Sequence, residues 1–259
     1  MDSKITKKVL LTGGSGNLGG AILASGFFSN ILAPSREEMD ITNKGEVVDF
    51  FEKNNPDAVI HCAALVNMFE VEQNPTEAIN VNIVGTSNLV SEIIQIEKNG
   101  ESIKFIYIST DGVYPGTEGN YSETDKTIPY NKYGWTKLGG ECAVSLLSNF
   151  CVIRTSFFDP HNIKHEFYAT DKYSSRLPID YLPKAIAFIL ESDFIGTVNI
   201  GGKKQSDYDK YKTIKPEIRP CTYEDIAKKS PLKISHDASM NSSLWRKIKG
   251  EIKSLKIDE

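Results

Sequence analysis

The sequence predicts an α/β protein: a doubly wound parallel sheet carrying a small, discontinuous lobe. Three observations predict it. Short apolar runs alternate with longer helical patterns between residues 9 and 200. Those short runs are almost continuously apolar, as strands are when helices cover both faces of a sheet. A glycine-rich turn directly follows the first run and opens the first helical pattern.

Each element follows in order. Val9-Leu10-Leu11 reads as a buried strand. From Asn17 to Phe28, Leu18, Ala21, Ile22 and Ser25 fall at helical spacing. Ile31-Leu32-Ala33 is the second strand, and Ala58-Val59-Ile60, introduced by Asn55-Pro56-Asp57, the third. Pro75 suits a first helical turn. After it Ile79, Ile83, Thr86, Val90 and Ile93 recur at three- to four-residue steps along one face of a long helix. Phe105-Ile106-Tyr107-Ile108 is a strand, and a helix from about Tyr130 carries Leu138, Cys142 and Leu146. Cys151-Val152-Ile153 follows as a strand, then a helix with Leu182, Ile186, Ile189 and Leu190, then Thr197-Val198-Asn199-Ile200. Beyond Gly202 the pattern fades into Lys, Ser, Asp and Tyr, with a short helix at about Tyr223 to Lys229 and another near the end. Arg246, Lys247, Lys249, Lys253 and Lys256 read as a solvated helix face.

Composition narrows the function. The 259 residues fit one large domain or a domain with a satellite lobe, and 40% hydrophobic with 25% charged residues is ordinary globular usage. Thirty basic against 34 acidic residues gives a net charge of −4, so the basic footprint of a nucleic-acid binder is missing. No apolar run approaches the roughly 18–20 residues that span a bilayer. The basic N-terminus leads into only three apolar residues, where a signal peptide needs about 7–15. A cytoplasmic location without membrane attachment is expected. Cys62, Cys142, Cys151 and Cys221 are scattered without a C-x-x-C, and reduced thiols are expected.

The turn Thr12-Gly13-Gly14-Ser15-Gly16-Asn17-Leu18-Gly19 places Gly13, Gly16 and Gly19 three apart. Lacking Cβ atoms, such glycines permit the sharp turn, the approach to a pyrophosphate and close helix–strand packing. The helix opening at Asn17 and Leu18 then offers free N–H groups and a positive dipole end to the diphosphate. A glycine cluster alone marks many plain turns; strand, loop and helix in this order point to a dinucleotide site of the Rossmann type. Where an acid after the second strand would hold the adenosine ribose stands Ser35, followed by Arg36. An arginine there suits a 2′-phosphate, so NADPH is expected, with NADH the alternative in which Glu37 or Glu38 holds the ribose. The dinucleotide-binding part is expected over 1–154 and 180–202, and the smaller substrate lobe over 155–179 and 203–259.

Tyr133 and Lys137 stand at i and i+4 on one helix face. A phenol with pKa about 10 becomes a useful proton donor when a cation nearby favours the phenolate. A Tyr-x-x-x-Lys by itself is usually exposed helix surface; its meaning comes from company. Ser109-Thr110 ends the preceding strand, where a hydroxyl can bond a substrate carbonyl. Asn82 lies among apolar helix positions, where a buried amide needs a partner.

In combination these pieces resemble the extended short-chain dehydrogenases/reductases, and among them the dTDP-4-dehydrorhamnose reductase group of sugar-nucleotide reductases. The matching stretches are TGGSGNLG (12–19), Met39-Asp40-Ile41-Thr42, NPDAVIHCAA (55–64), NVNIVGT (80–86), ISTDGVYPG (108–116), YGWTKLGGE (133–141) and Arg154-Thr155-Ser156, within residues 7–200. The resemblance implies a Thr110–Tyr133–Lys137 triad, with Asn82 supporting the lysine through water. It also implies that Asp40 and Ile41 flank the adenine and that Ala63 and Ala64 line the nicotinamide side. Residues 203–259 match poorly, and Phe157 stands where the group has a tryptophan.

The implied activity is NAD(P)H-dependent reduction of a keto-sugar nucleotide of the 4-keto-6-deoxy type, in nucleotide-sugar biosynthesis. Phe157 is expected at the substrate, and Arg154, Arg176 and Arg219 are candidates for its phosphates. A sugar-nucleotide epimerase holding NAD is the nearest alternative. A non-catalytic regulatory subunit, as in the methionine adenosyltransferase beta subunit, is another. A dehydratase would carry a second acid where Gly112 follows Asp111. His161 and His165 are four apart with no completing ligand, so no metal is expected. A homo-oligomer is compatible with the sequence, which leaves the oligomeric state open.

Overall fold

Strands that are apolar on both faces need cover on both sides, and the computed structural model, which describes residues 4–251, supplies it. The first half runs β1 (Val9–Thr12), α1 (Asn17–Ala24), β2 (Ile31–Leu32), α2 (Lys44–Asn54), β3 (Ala58–His61), α3 (Met68–Gln73), α4 (Pro75–Ile79), α5 (Thr86–Lys98) and β4 (Lys104–Thr110). Then come α6 (Lys132–Val144), β5 (Phe150–Thr155), β6 (Phe157–Phe158), β7 (Phe167–Ala169), β8 (Tyr173–Ser174), β9 (Leu177–Pro178), α7 (Leu182–Glu191) and β10 (Gly196–Ile200). The chain finishes with β11 (Gln205–Ser206), α8 (Asp207–Lys212), β12 (Arg219–Cys221), α9 (Tyr223–Lys229) and α10 (Ser243–Glu251).

The central sheet has the order β10-β5-β4-β3-β1-β2, and every pair in it is parallel. Alternate residues of each strand feed two cores. Val9, Leu11, Ile60, Ile106 and Ile153 pack with α1, α7 and α10 on one face. Leu10, Val59, Phe105, Tyr107 and Val152 pack with α2, α5 and α6 on the other. The strand order reverses between β1 and β3, and in such sheets the crevice beyond the strand ends at that point binds ligands. Three two-stranded ribbons, β6–β9, β7–β12 and β8–β11, hold the residues after β5 together. Among the described residues no helix is long and apolar enough to cross a membrane.

Several elements differ from expectation for local reasons. α1 stops at Ala24 rather than Phe28, because Gly26 turns the chain at φ +73°. α2 has no counterpart in the apolar pattern: only Val47 and Phe51 are buried, and Asn43 starts it by accepting from the Gly45 and Glu46 N–H groups. The long helix from Pro75 is present, but residues Asn80–Gly85 wind as a π-helical turn. α6 turns its apolar Cys142 to solvent, ends before the exposed Leu146, and buries Gly134, Thr136, Lys137, Gly140, Glu141 and Val144 instead. α10 packs on the main sheet rather than in the small lobe, with Trp245 and Ile248 in the core beside α1 and α7. Lys253 and Lys256 of the expected basic face lie outside the described residues.

Candidate active site

The crevice is built from its glycines outward. Gly13 adopts φ +72°, and a Cβ there would lie 2.6 Å from the Ala63 nitrogen, so only glycine lets β1 turn this close to the end of β3. α1 begins at the Gly16 cap without any side-chain hydrogen bond, which leaves its first N–H groups to a ligand. The cavity above this turn measures about 1000 Å³. Its size, the uncapped helix start and the Cβ-free turn fit a dinucleotide.

Gly13, Gly16, Asn17, Leu18, Ser35, Arg36, Asp40, Ile41, Ala63 and Ala64 all line this cavity. So do Thr110, Tyr133, Lys137 and Phe157. At the end of the cavity beyond β2, the Arg36 side chain donates to Asp40 at 3.0 Å and lies 3.9 Å from Glu77. The expected free cation is therefore already paired with carboxylates.

At the other end, α6 reaches the turn after β4 because residue 134 is glycine: a Cβ there would meet the Gly112 carbonyl and lie 2.8 Å from Pro129. The Thr110 hydroxyl donates to Asp111 at 3.1 Å and accepts from the Gly112 N–H at 3.1 Å. Burial first, then the Asp111 charge and the Tyr130 phenol, push the Tyr133 pKa well up. The lysine was expected to lower it; in this structure desolvation and the neighbouring acid prevail, and the phenol is held protonated. Lys137 is 3% exposed, with Nζ 4.1 Å from the centroid of the Tyr107 ring. Desolvation brings its pKa down to about 8.

The side chain of Asn82 is buried and held at both of its polar atoms. Its Oδ1 accepts from the Leu65 N–H at 2.7 Å, and its Nδ2 donates to the Leu65 carbonyl at 3.0 Å and to the Thr136 hydroxyl at 2.9 Å. It thus clamps the segment after β3 to α6. Arg154 is corrected as a phosphate ligand. It is 6% exposed and forks onto Glu141, with Nη2 at 2.7 Å from Oε2 and Nε at 3.0 Å from Oε1. Tyr114 takes another of its donors at 2.9 Å. Arg219 is exposed and pairs with Glu166 at 3.3 Å. Arg176 lies between β8 and β9, where Nη1 donates to the Tyr211 hydroxyl at 3.2 Å while its buried Nε has no hydrogen-bond partner.

Of two further buried residues, His61 has no role in the sequence reading and Asp111 enters it only as the acid before Gly112. Asp111 stands beside Thr110, and burial raises its pKa against the pull of Arg176 and the Ser156 and Thr110 hydroxyls. His61 bridges the Thr12 hydroxyl at 2.6 Å and the Thr86 hydroxyl at 2.9 Å, tying the glycine turn to α5. The signal for each was a polar residue at the end of an apolar strand, where a buried group must have partners.

Comparison with known proteins places these features in a family context. The model of the RmlD substrate binding domain family matches residues 7–170. A dTDP-4-keto-6-deoxy-D-glucose reductase of Streptomyces niveus is 32% identical over 158 residues, 59% of this chain and 53% of the relative. The methionine adenosyltransferase 2 subunit beta of Rattus norvegicus is 34% identical over 148 residues, 54% of this chain and 43% of the relative. The chain thus spans about half the length of the curated relatives it matches. A crystal structure described as a hypothetical dTDP-4-dehydrorhamnose reductase from Sulfolobus tokodaii superposes with a TM-score of 0.81 at 27% identity, covering 97% of each chain.

Proposed function

Because the chain belongs to the RmlD substrate binding domain family, we propose that it is an NAD(P)H-dependent reductase of a keto-sugar nucleotide of the 4-keto-6-deoxy type. One observation carries the reading: Thr110, Tyr133 and Lys137 line the same cavity as the Gly13–Gly19 turn. A bound reduced nicotinamide supplies the hydride to the carbonyl carbon. The residues of the chain handle the oxygen. Thr110 orients it, and Tyr133, kept protonated by burial, delivers the proton that completes the alcohol. Lys137 lies one helical turn beyond Tyr133 and offers an ammonium to the ribose and to the phenolate left after transfer.

The small lobe, over 155–179 and the residues after β10 as far as α10, is assigned to the substrate. Phe157 offers an apolar wall from the cavity edge. The unpartnered Arg176 Nε supports a role in holding the diphosphate, since a buried donor without an acceptor is costly unless a ligand provides one. Asn82 is a positioning residue in this scheme.

The test is transfer of isotope. With a 4-keto-6-deoxy sugar nucleotide and dinucleotide deuterated at the reactive carbon, mass spectrometry should find one deuterium in the reduced sugar. A product isomerised without net reduction would favour the epimerase. The match to methionine adenosyltransferase 2 subunit beta favours a second reading, a non-catalytic dinucleotide-binding subunit. Unchanged sugar nucleotide together with a co-purifying partner enzyme would favour it.

A further inference from the structure

The far end of the dinucleotide cavity, away from Tyr133, is acidic. Glu37, Glu38 and Asp40 line it, and Arg36 is the cation among the described residues lining that end. The Ser35 N–H, the backbone donor just beyond β2, gives its hydrogen bond to Glu38 Oε2 at 2.8 Å. The Arg36 side chain, 67% exposed, pairs with Asp40 at 3.0 Å and lies 3.9 Å from Glu77. Asp40 is itself fixed, since its Oδ1 accepts from the Thr42 N–H at 2.9 Å and the Thr42 hydroxyl at 2.8 Å.

The geometry points to NAD(H), rather than NADP(H), as the dinucleotide this chain selects, with Glu38 as the acid that takes the ribose hydroxyl. The inference rests on the dinucleotide reading above. A 2′-phosphate brings about −1.5 to −2 charges at neutral pH. Here it would meet three lining carboxylates, one paired arginine, and a backbone donor already occupied by a carboxylate. A free ribose hydroxyl is instead a donor. A carboxylate accepts at both oxygens, so Glu38 can hold it while keeping Ser35.

Calorimetric titration of the purified protein with NADH and NADPH, without substrate, tests this. NADH should bind at least about tenfold more tightly, and the gap should narrow at high salt because these carboxylates are exposed to screening. Glu38→Gln should shift the NADH-to-NADPH affinity ratio several-fold toward NADPH. Equal affinities, or tighter NADPH binding that Arg36→Ala abolishes, would overturn the selectivity while leaving the dinucleotide site intact. Binding of neither dinucleotide would overturn the dinucleotide reading and the selectivity with it.

Discussion

His61 shows how much one buried side chain can carry. Its ring is fully enclosed between Thr12 and Thr86, and desolvation, helped by the Lys137 charge, brings its pKa from 6.5 down to about 3. The folded protein therefore holds it neutral, while the unfolded chain takes up a proton below about pH 6.5. The unfolded state binds more protons between those values, so stability is full above the upper one and falls as pH falls through the window. At about pH 5 the loss is on the order of 2 kcal/mol. Urea unfolding should show the wild type losing that much more than His61→Asn between neutral pH and about pH 5. Parallel losses would mean that His61 already titrates normally. That Gly13, Thr110, Tyr133 and Lys137 meet at one cavity was legible in the sequence, because they sit in fixed order at strand ends and helix starts. Arg154 was not legible: a positive charge says nothing about the Glu141 carboxylate that consumes it.

At the scale of elements, α6 carries the lesson. Its apolar residues Leu138, Cys142 and Leu146 suggested one face, yet the buried face is glycine, threonine, lysine, glutamate and valine. Periodicity reports where apolar residues recur; a helix that buries a lysine and an ion pair hides that signal. The ribbon strands after β5 are two or three residues long, too short for any period to show. The Glu141–Arg154 pair fastens α6 to β5, and Ser109 adds a bond to Glu141 at 2.5 Å. Removing one partner strands a buried charge, so Glu141→Leu alone should cost about 3–5 kcal/mol. Glu141→Leu combined with Arg154→Met should recover much of that loss. A double-mutant cycle by chemical denaturation measures this, and strict additivity of the two single costs would rule the coupling out.

Across the whole molecule, the six-stranded parallel sheet was legible because its strands are short runs that are almost continuously apolar. α10 comes last in the described chain yet closes the first core. Trp245 is 2% exposed, meets the Phe188 ring edge-on at 5.6 Å between centroids, and donates from Nε1 to the Tyr181 hydroxyl at 3.0 Å. Trp245→Ala should therefore cost about 3–5 kcal/mol, seen as a lower melting temperature of the entire protein rather than a separate early transition. A distinct early transition would place α10 in an independent unit.

The central claim is that Tyr133 donates the proton in a dinucleotide-dependent reduction. It is tested most directly by comparing wild type and Tyr133→Phe for turnover of a 4-keto-6-deoxy sugar nucleotide, following oxidation of the reduced dinucleotide and measuring dinucleotide affinity alongside. Removing only a hydroxyl should leave that affinity unchanged and lower kcat by about 10²–10⁴-fold. Full turnover by Tyr133→Phe would contradict the assignment of the proton donor, and a wild type that reduces no such substrate would contradict the account as a whole.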